Sequence, residues 1–248
     1  MLNFKLEELT NSFQNKEESF IFLKENQIPV ENFIKDSLEE KLIEPNFNDL
    51  ARLLKICHCF KPINIIEYGC GFSSYIFHHY LTKDHACKIS KKKHLQINEV
   101  HNRYLNLTVN RLNKNDSNVK IILKECQVVR DKNRDDGSHY YLTNYSFVPD
   151  VIYLDGPDPN DIEKSFFPEV NQRVPISSDI LKIESWLMPG TILIVDGRIA
   201  NVRYLKRSFT RNWEWDTNST NDCSIAILNE QPYGRKDFEN LKKRGLIK

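Results

Sequence analysis

The feature that most limits the fold of this chain is a short apolar run that ends in two closely spaced glycines. The run Ile63–Tyr68 is bounded by Pro62 and Gly69, and another glycine follows at Gly71. A short apolar run with such boundaries is typical of a strand that is buried in a parallel sheet. A helical pattern, Ser73–Leu81, comes next. This part of the chain therefore predicts a strand, a tight turn and a helix.

Further apolar runs, separated by helical patterns, repeat this arrangement. The predicted strands are His94–Glu99, Val119–Leu123, Asp150–Asp155 and Thr191–Asp196, and the predicted helices are Val100–Leu112, Ile180–Leu187 and Ile199–Phe209. Strands that alternate with helices imply βαβ crossovers and a mostly parallel sheet. Asn212–Asp216 and Ser224–Leu228 flank a polar turn and predict a terminal antiparallel hairpin. We therefore expect an α/β fold with seven strands.

The first 60 residues show helical spacing of apolar side chains and no strand pattern. Their last predicted helix is Asp49–Phe60, with Asn48 as its N-cap. We expect residues 1–60 to form a helical cap and residues 61–248 to form one compact ligand-binding domain.

Charge and composition exclude several classes of function. The 35 basic and 34 acidic residues give a net charge of +1, so no overall basic field favours nucleic acid. No apolar run is long enough to span a membrane, and the N-terminus lacks the apolar core of a signal peptide. The six cysteines match no zinc framework. We expect a cytoplasmic protein with reduced thiols, no nucleic-acid partner and no membrane span.

The turn after the first predicted strand has the residues of a ligand site. Gly69 and Gly71 allow the backbone to turn sharply and to approach a ligand without a Cβ clash. Ser73 and Ser74 can cap the following helix. Because position 74 is serine, the pattern is not the dinucleotide motif GxGxxG. The acidic Glu67 before the glycines favours a ligand with a positive charge.

A second acidic residue, Glu99, ends the second predicted strand. A carboxylate there can accept hydrogen bonds from both hydroxyls of a ribose. The distance in sequence from Gly71 is longer than is usual for that role, and Asp84 is the alternative if the strand begins earlier. A solvated glutamate at a helix start is a further alternative.

Two Asp-Gly steps follow the fourth and fifth predicted strands, at Asp155 and Asp196. If the strands are neighbours, both carboxylates face the same crevice, where they could hold a divalent metal or act as a general base. Turn formation is the alternative for each step. Asp158, Asp196 and Arg198 are the candidates for binding a substrate, and Arg198 could bind an anionic one.

The polar stretch Arg130–Tyr145 has no clear pattern and predicts a long loop, which in a compact domain is functional or mobile. It contains His139, a candidate proton shuttle. An exposed histidine without a catalytic role is the alternative.

The order of these features resembles the class I S-adenosyl-L-methionine (SAM)-dependent methyltransferases, over about residues 45–230. The features are ExGxG after the first strand, an acid after the second, Asp155 after the fourth, a Pro-Gly turn, a fifth strand and a hairpin. Tyr153–Asp158, Asp179–Lys182, Pro189–Arg198 and Arg211–Trp213 more narrowly resemble a poorly characterised bacterial subgroup of surface-polysaccharide biosynthesis.

The resemblance implies a Rossmann-like sheet and assigns site residues. The methionine end of SAM would be lined by Glu67, Gly69, Cys70, Gly71, Ser73 and Ser74. Glu99 would bind the ribose, Cys126 and Gln127 would lie near the adenine, and Asp155 would face the methyl group and the acceptor. Residues 124–127 depart from the family pattern, since they lack the usual Gly-Asp-Ala type of sequence. A divalent metal is possible but not indicated, because Gly197 stands where metal-dependent relatives often have a second acid.

Together these features predict a methyltransferase that converts SAM to S-adenosyl-L-homocysteine (SAH). The expected acceptor is a sugar, a nucleotide sugar or a phosphorylated surface-glycan precursor, methylated on oxygen. Asp155 is the first choice for the base that the acceptor needs, and His139 the second. The alternatives are a SAM-binding scaffold without catalysis and a nucleotide-sugar oxidoreductase, which the absent third glycine disfavours. The chain could also form a homodimer.

Overall fold

A computed structural model describes residues 5–83, 92–112, 118–157 and 176–247. Its strands are β1 (Asn64–Tyr68), β2 (Lys93–Glu99), β3 (Val119–Glu125), β4 (Val128–Arg130), β5 (His139–Tyr141), β6 (Val151–Leu154), β7 (Ile192–Asp196), β8 (Trp213–Asn218) and β9 (Cys223–Leu228). Its α-helices are α1 (Leu6–Thr10), α2 (Lys16–Glu25), α3 (Val30–Glu39), α4 (Phe47–Phe60), α5 (Phe72–Thr82), α6 (Asn102–Arg111), α7 (Ser178–Ile183), α8 (Ile199–Ser208) and α9 (Arg235–Lys243). A 3-10 turn, Glu184–Trp186, follows α7.

The main sheet has seven strands in the order β3-β2-β1-β6-β7-β9-β8. Strand β1 is parallel to both of its neighbours, β2 and β6, while β9 is antiparallel to β7 and β8. The predicted Rossmann-like fold, with a mostly parallel sheet and a terminal hairpin, is confirmed. The chain proceeds outward from β1 to β3 and then returns to β6, so strand order reverses between β1 and β6. Open α/β sheets bind ligands at the carboxyl ends of strands beside such a reversal.

Apolar side chains cover both faces of this sheet, because neighbouring residues of a strand point to opposite faces. Ile65 belongs to the core on the side of α4 and α5, which includes Phe77. Ile66 belongs to the core on the opposite side, where Val202 of α8 is also buried. Leu23 of α2 is part of the first core. The N-terminal helices therefore share a hydrophobic core with the sheet, and the domain division at residue 60 stays a prediction.

The predicted start of the helix that ends at Phe60 differs from the structure. Helix α4 begins at Phe47, and its N-cap is Asn46, whose side chain accepts a hydrogen bond from the Asn48 backbone N–H at 3.1 Å. The predicted cap, Asn48, lies inside the first turn instead and accepts a hydrogen bond from the Ser19 hydroxyl at 2.6 Å. Since both residues are asparagines, apolar periodicity could not decide which of them has the extended backbone of a cap.

The predicted long loop Arg130–Tyr145 contains regular structure. Strands β4 and β5 form a separate antiparallel two-stranded sheet, in which Val128 pairs with Tyr141 and Arg130 with His139. Each strand has only three residues, which is too short for a visible alternation of apolar and polar side chains. This two-stranded sheet is called the accessory hairpin below.

A buried ion pair joins the C-terminal helix to the amino ends of the central strands. The Arg244 guanidinium lies 3.1 Å from Asp150 Oδ1, and its Nε donates a hydrogen bond to the Phe60 carbonyl at 3.0 Å. Asp150 Oδ2 accepts hydrogen bonds from the backbone N–H groups of Ile63 and Asn64, both at 3.0 Å. The pair therefore ties α9 and the end of α4 to the start of β1. Within the described ranges, no helix is long and apolar enough to cross a membrane.

We expect Arg244→Met to lower the free energy of unfolding by about 3 kcal/mol, because Asp150 would be left buried without its cation. The matched control is Arg235→Met in α9, the helix that Arg244 directly follows. It removes an exposed pair with Glu239 and should cost less than about 0.5 kcal/mol. Urea unfolding followed by circular dichroism measures both. Equal losses in the two variants would contradict this role of the buried pair.

Candidate active site

The carboxyl ends of β1 and β6 approach each other so closely that only glycine fits at the crossing. A Cβ atom on Gly156 would lie 2.6 Å from the Gly69 Cα, and one on Gly69 would lie 2.9 Å from the Gly156 nitrogen. Gly69 also has a φ of 91°, which L side chains rarely adopt. A Cβ on Gly71, in contrast, would meet no atom of the described residues within 4 Å. The predicted turn therefore has one glycine that packs against β6 and one whose backbone a ligand can approach.

Glu67 connects the end of β1 to the start of α5 through two hydrogen bonds. It is fully buried, and its two carboxylate oxygens accept hydrogen bonds from the hydroxyls of Ser73 at 2.5 Å and Ser74 at 2.6 Å. Burial raises the pKa of Glu67 to about 8, against the lowering effect of the two hydroxyls, and the charges of Asp155 and Glu99 add to the rise. Both serines thus bind Glu67, and Ser74 also accepts a hydrogen bond from the Gly71 backbone N–H at 3.3 Å, as its predicted capping role requires. Direct contact between Glu67 and a positive ligand group stays a prediction.

Glu99 is anchored where β1, β2 and β3 end together. Its Oε1 accepts hydrogen bonds from the backbone N–H groups of Val100 at 2.8 Å and His101 at 2.9 Å. The Cys126 N–H donates to the Glu99 carbonyl at 2.7 Å. Burial raises the pKa of the Cys70 thiol, and the Glu99 charge raises it further. Because only 6% of Glu99 is exposed, the alternative of a solvated helix-start glutamate is wrong. The other alternative, Asp84, lies outside the described residues.

Asp155 combines access to solvent with a perturbed carboxyl group. Its side chain is exposed, yet the protein that surrounds it removes enough water contact to raise its pKa to about 7. The neighbouring Asp196 carboxylate also raises the pKa, and the Arg198 guanidinium lowers it. A carboxylate that is accessible and titrates near neutral pH can accept a proton from a bound hydroxyl.

Asp196 and Arg198 lie beside Asp155 and are held by the protein. The Tyr153 hydroxyl donates to Asp196 Oδ2 at 2.8 Å, and burial raises the pKa of Asp196 to about 6. The Arg198 guanidinium donates to the backbone carbonyls of Asp155 and Pro157. It therefore positions the segment that carries Asp155, and its predicted contact with an anionic acceptor stays a prediction. No group of three or more His, Cys, Asp or Glu side chains in the described part of the chain is arranged to hold a metal.

The remaining predicted site residues lie at the edge of this cluster or beyond the described chain. His139 is buried in the accessory hairpin, with Nδ1 2.9 Å from the Gly137 carbonyl. The alternative of an exposed loop histidine is wrong, while the catalytic role of His139 stays a prediction. Gln127 is exposed, and its carbonyl accepts a hydrogen bond from the Leu142 N–H at 2.7 Å. Asp158 lies in 158–175, outside the described residues.

One residue at the centre of the cluster received no role from the sequence. Tyr141 of the accessory hairpin is 1% exposed, and its ring centroid lies 5.0 Å from that of Tyr68. Its hydroxyl points at the glycine crossing, because a Cβ on Gly156 would lie 2.5 Å from the hydroxyl oxygen. The only sequence signal was a tyrosine in a predicted loop, which is a weak one.

Glu67→Gln tests whether this buried carboxyl is protonated in the folded protein. A pKa raised from 4.5 to about 8 makes the wild type less stable as pH rises from 5 to 8, because over this range the unfolded state releases a proton that the folded state keeps. We expect the free energy of unfolding to fall less steeply with rising pH in Glu67→Gln than in the wild type. The two slopes should differ by up to about 1.4 kcal/mol per pH unit. Urea unfolding at several pH values measures the slopes. Glu125→Gln, at an exposed glutamate, is the control, and identical slopes in all three proteins would contradict the assignment.

Several solved structures of known proteins have a similar fold. A Staphylococcus aureus protein, provisionally described as a caffeoyl-CoA O-methyltransferase, is 13% identical at a TM-score of 0.54, with 87% of this chain and 99% of that chain covered. A Klebsiella pneumoniae protein, provisionally described as an O-methyltransferase, is 14% identical at a TM-score of 0.51, with 86% and 97% covered. An SAH-bound methyltransferase from Podospora anserina is 11% identical at a TM-score of 0.52, with 87% and 97% covered. No family model and no curated protein matches the chain. The chain therefore has the Rossmann-like fold of these methyltransferases.

Proposed function

We propose that this protein is a SAM-dependent O-methyltransferase. The observation that carries the proposal is the accessible Asp155, whose carboxyl titrates near pH 7 directly beside the glycine crossing of β1 and β6. The crossing lies at the reversal of strand order, where α/β sheets bind ligands. The structural neighbours described as O-methyltransferases support this chemistry.

The residues present fit SAM as the cofactor. Gly71 offers a backbone that a ligand can approach, since a Cβ there would contact no described atom. Glu99 has its carboxylate fixed by two backbone N–H groups, and such an oriented acceptor suits two ribose hydroxyls. Cys126, joined to Glu99 by a backbone hydrogen bond, would lie near the adenine. Gly69 and Cys70 would complete the methionine end.

Catalysis then requires alignment and one proton transfer. When bound, SAM supplies an electrophilic methyl group on a positively charged sulfur. Asp155 would hold the acceptor hydroxyl and would take the proton that the acceptor oxygen loses on methylation. Arg198 fixes the backbone on both sides of Gly156 through two carbonyls, which orients Asp155 toward the acceptor. His139 is the second candidate for the base.

The acceptor that we propose is a sugar, a nucleotide sugar or a phosphorylated surface-glycan precursor. This choice rests on the sequence resemblance of Tyr153–Asp158 and Pro189–Arg198 to the bacterial subgroup named above. Asp158, Asp196 and Arg198 would face such a hydroxyl-rich, anionic molecule. We further propose that the protein acts in the cytoplasm on small molecules rather than nucleic acid, and that it could do so as a homodimer.

Cofactor binding is tested by titrating SAH into the protein in a calorimeter. We expect the wild type to bind SAH and Glu99→Gln to bind it at least about tenfold more weakly, because one charge-assisted acceptor for the ribose is lost. The substitution keeps an oxygen that can accept from Val100 and His101, so the fold should persist. The control is Glu125→Gln, which stands opposite Glu99 in the strand register and should bind as the wild type does. A wild type that binds no SAH at millimolar concentration would overturn the proposed function.

Catalysis is tested with Asp155→Asn and a panel of UDP-sugars and sugar phosphates, with SAH formation as the readout. We expect turnover to fall at least about 100-fold, because the amide cannot accept the proton, while SAH affinity stays within about threefold. The wild-type rate should rise with pH and level off above about pH 7, as the carboxyl of Asp155 loses its proton.

The control for this loss is Asp135→Asn, at an exposed aspartate of the accessory hairpin turn, which should retain wild-type turnover. Undiminished turnover in Asp155→Asn would assign the base elsewhere, with His139 tested next. Tight SAH binding without turnover of any acceptor would favour the alternative of a SAM-binding scaffold.

A further inference from the structure

The Tyr141 hydroxyl lies at the glycine crossing of β1 and β6, beside the proposed cofactor site. The accessory hairpin places the Tyr141 ring on Tyr68, the last residue of β1, with their ring centroids 5.0 Å apart. From there the hydroxyl oxygen reaches the crossing of Gly69 and Gly156, 2.5 Å from the place that a Gly156 Cβ would occupy. A glycine at 156 is therefore required by this hydroxyl as well as by the opposing backbone.

No atom of the described residues forms a hydrogen bond with this hydroxyl, although the tyrosine is 99% buried. The two backbone N–H groups of the crossing are already paired, because the Gly69 N–H donates to the Asn98 carbonyl at 2.9 Å and the Gly156 N–H to the Tyr68 carbonyl at 2.7 Å. Buried hydroxyls in native proteins are almost always hydrogen-bonded. A buried hydroxyl without a protein partner at a candidate site thus indicates a ligand atom as its partner.

The surrounding groups indicate which ligand atom this is. Burial raises the pKa of Tyr141, and the charges of Glu99, Asp179 and Asp155 raise it further, whereas the Arg198 guanidinium lowers it. This part of the site therefore has carboxylates that can accept hydrogen bonds from a ligand ammonium and one cation that attracts a ligand carboxylate. A ligand carboxylate needs donors instead, and the tyrosine hydroxyl is a donor. The amino-acid end of SAM carries both an ammonium and a carboxylate. It would lie at the loop Gly69–Gly71, directly beside this hydroxyl.

We propose that the Tyr141 hydroxyl donates a hydrogen bond to the carboxylate at the amino-acid end of the bound cofactor. The proposal rests on the proposed function and names a recognition residue that comes from the accessory hairpin rather than from the main sheet. Tyr141 would thereby hold the cofactor at the crossing of β1 and β6 while Glu99 holds its ribose.

The test compares two ligands in Tyr141→Phe and in the wild type by calorimetric titration. SAH carries the amino-acid end, whereas 5′-methylthioadenosine has the adenosine and the sulfur without it. We expect Tyr141→Phe to weaken SAH binding by about tenfold, as for one lost hydrogen bond to a charged group, and to change 5′-methylthioadenosine binding by less than about twofold. The melting temperature of the ligand-free variant should equal or exceed that of the wild type, because no protein hydrogen bond is lost.

Tyr145→Phe is the matched control, because the Tyr145 hydroxyl is paired with the Tyr68 hydroxyl at 2.8 Å. It should lower the melting temperature of the ligand-free protein and leave SAH affinity unchanged. Equal SAH affinity in Tyr141→Phe and the wild type would overturn the inference and leave the proposed function standing. Equal weakening of both ligands would also overturn it, since Tyr141 would then only shape the site. A wild type that binds neither ligand would overturn both proposals.

Discussion

The candidate site depends on how closely the backbone after β1 approaches the backbone after β6. The parallel register that joins these strands brings Tyr68 opposite Leu154, and the chain on both sides then continues into a turn. Glycines at 69 and 156 allow the turns to touch, since any Cβ would lie within 3 Å of the opposite backbone. Close packing on this side leaves Gly71 on the side that a ligand can approach. The crossing thus sets how the segments after β1 and β6 lie relative to each other at the candidate site.

Three carboxylates surround the crossing, and their surroundings give them different chemistry. Glu67 is buried, and both of its oxygens accept hydrogen bonds from serine hydroxyls, so it connects the end of β1 to the start of α5. Glu99 is anchored through one oxygen by two backbone N–H groups, which orients the carboxylate. Asp155 is reached by solvent and titrates near neutral pH, which suits proton transfer. The same functional group therefore serves as a structural tie, a candidate binding group and a candidate base.

Local sequence patterns were sufficient for the main sheet and for identifying the residues that lie at the carboxyl ends of its strands. The central strands β1, β6 and β7 are largely buried apolar runs, and the residues at their carboxyl ends could be identified because parallel strands present those ends at one edge. The accessory hairpin could not be found in this way, since its strands have three residues each and are fixed by tertiary contacts. The same is true of the Arg198 contacts with two carbonyls, because a sequence shows the charge of a side chain but not its partner.

Two opposing effects keep the pKa of Asp155 close to neutral pH. The surrounding protein and the Asp196 carboxylate favour the protonated form, whereas the Arg198 guanidinium favours the charged form. Arg198 donates its hydrogen bonds to backbone carbonyls, so its charge acts on Asp155 without a paired contact to the carboxylate. A direct ion pair would hold the carboxylate charged and occupy its oxygens, which would weaken it as a base. An arginine that binds the backbone of the aspartate can therefore position the carboxylate and still leave its oxygens open to an acceptor.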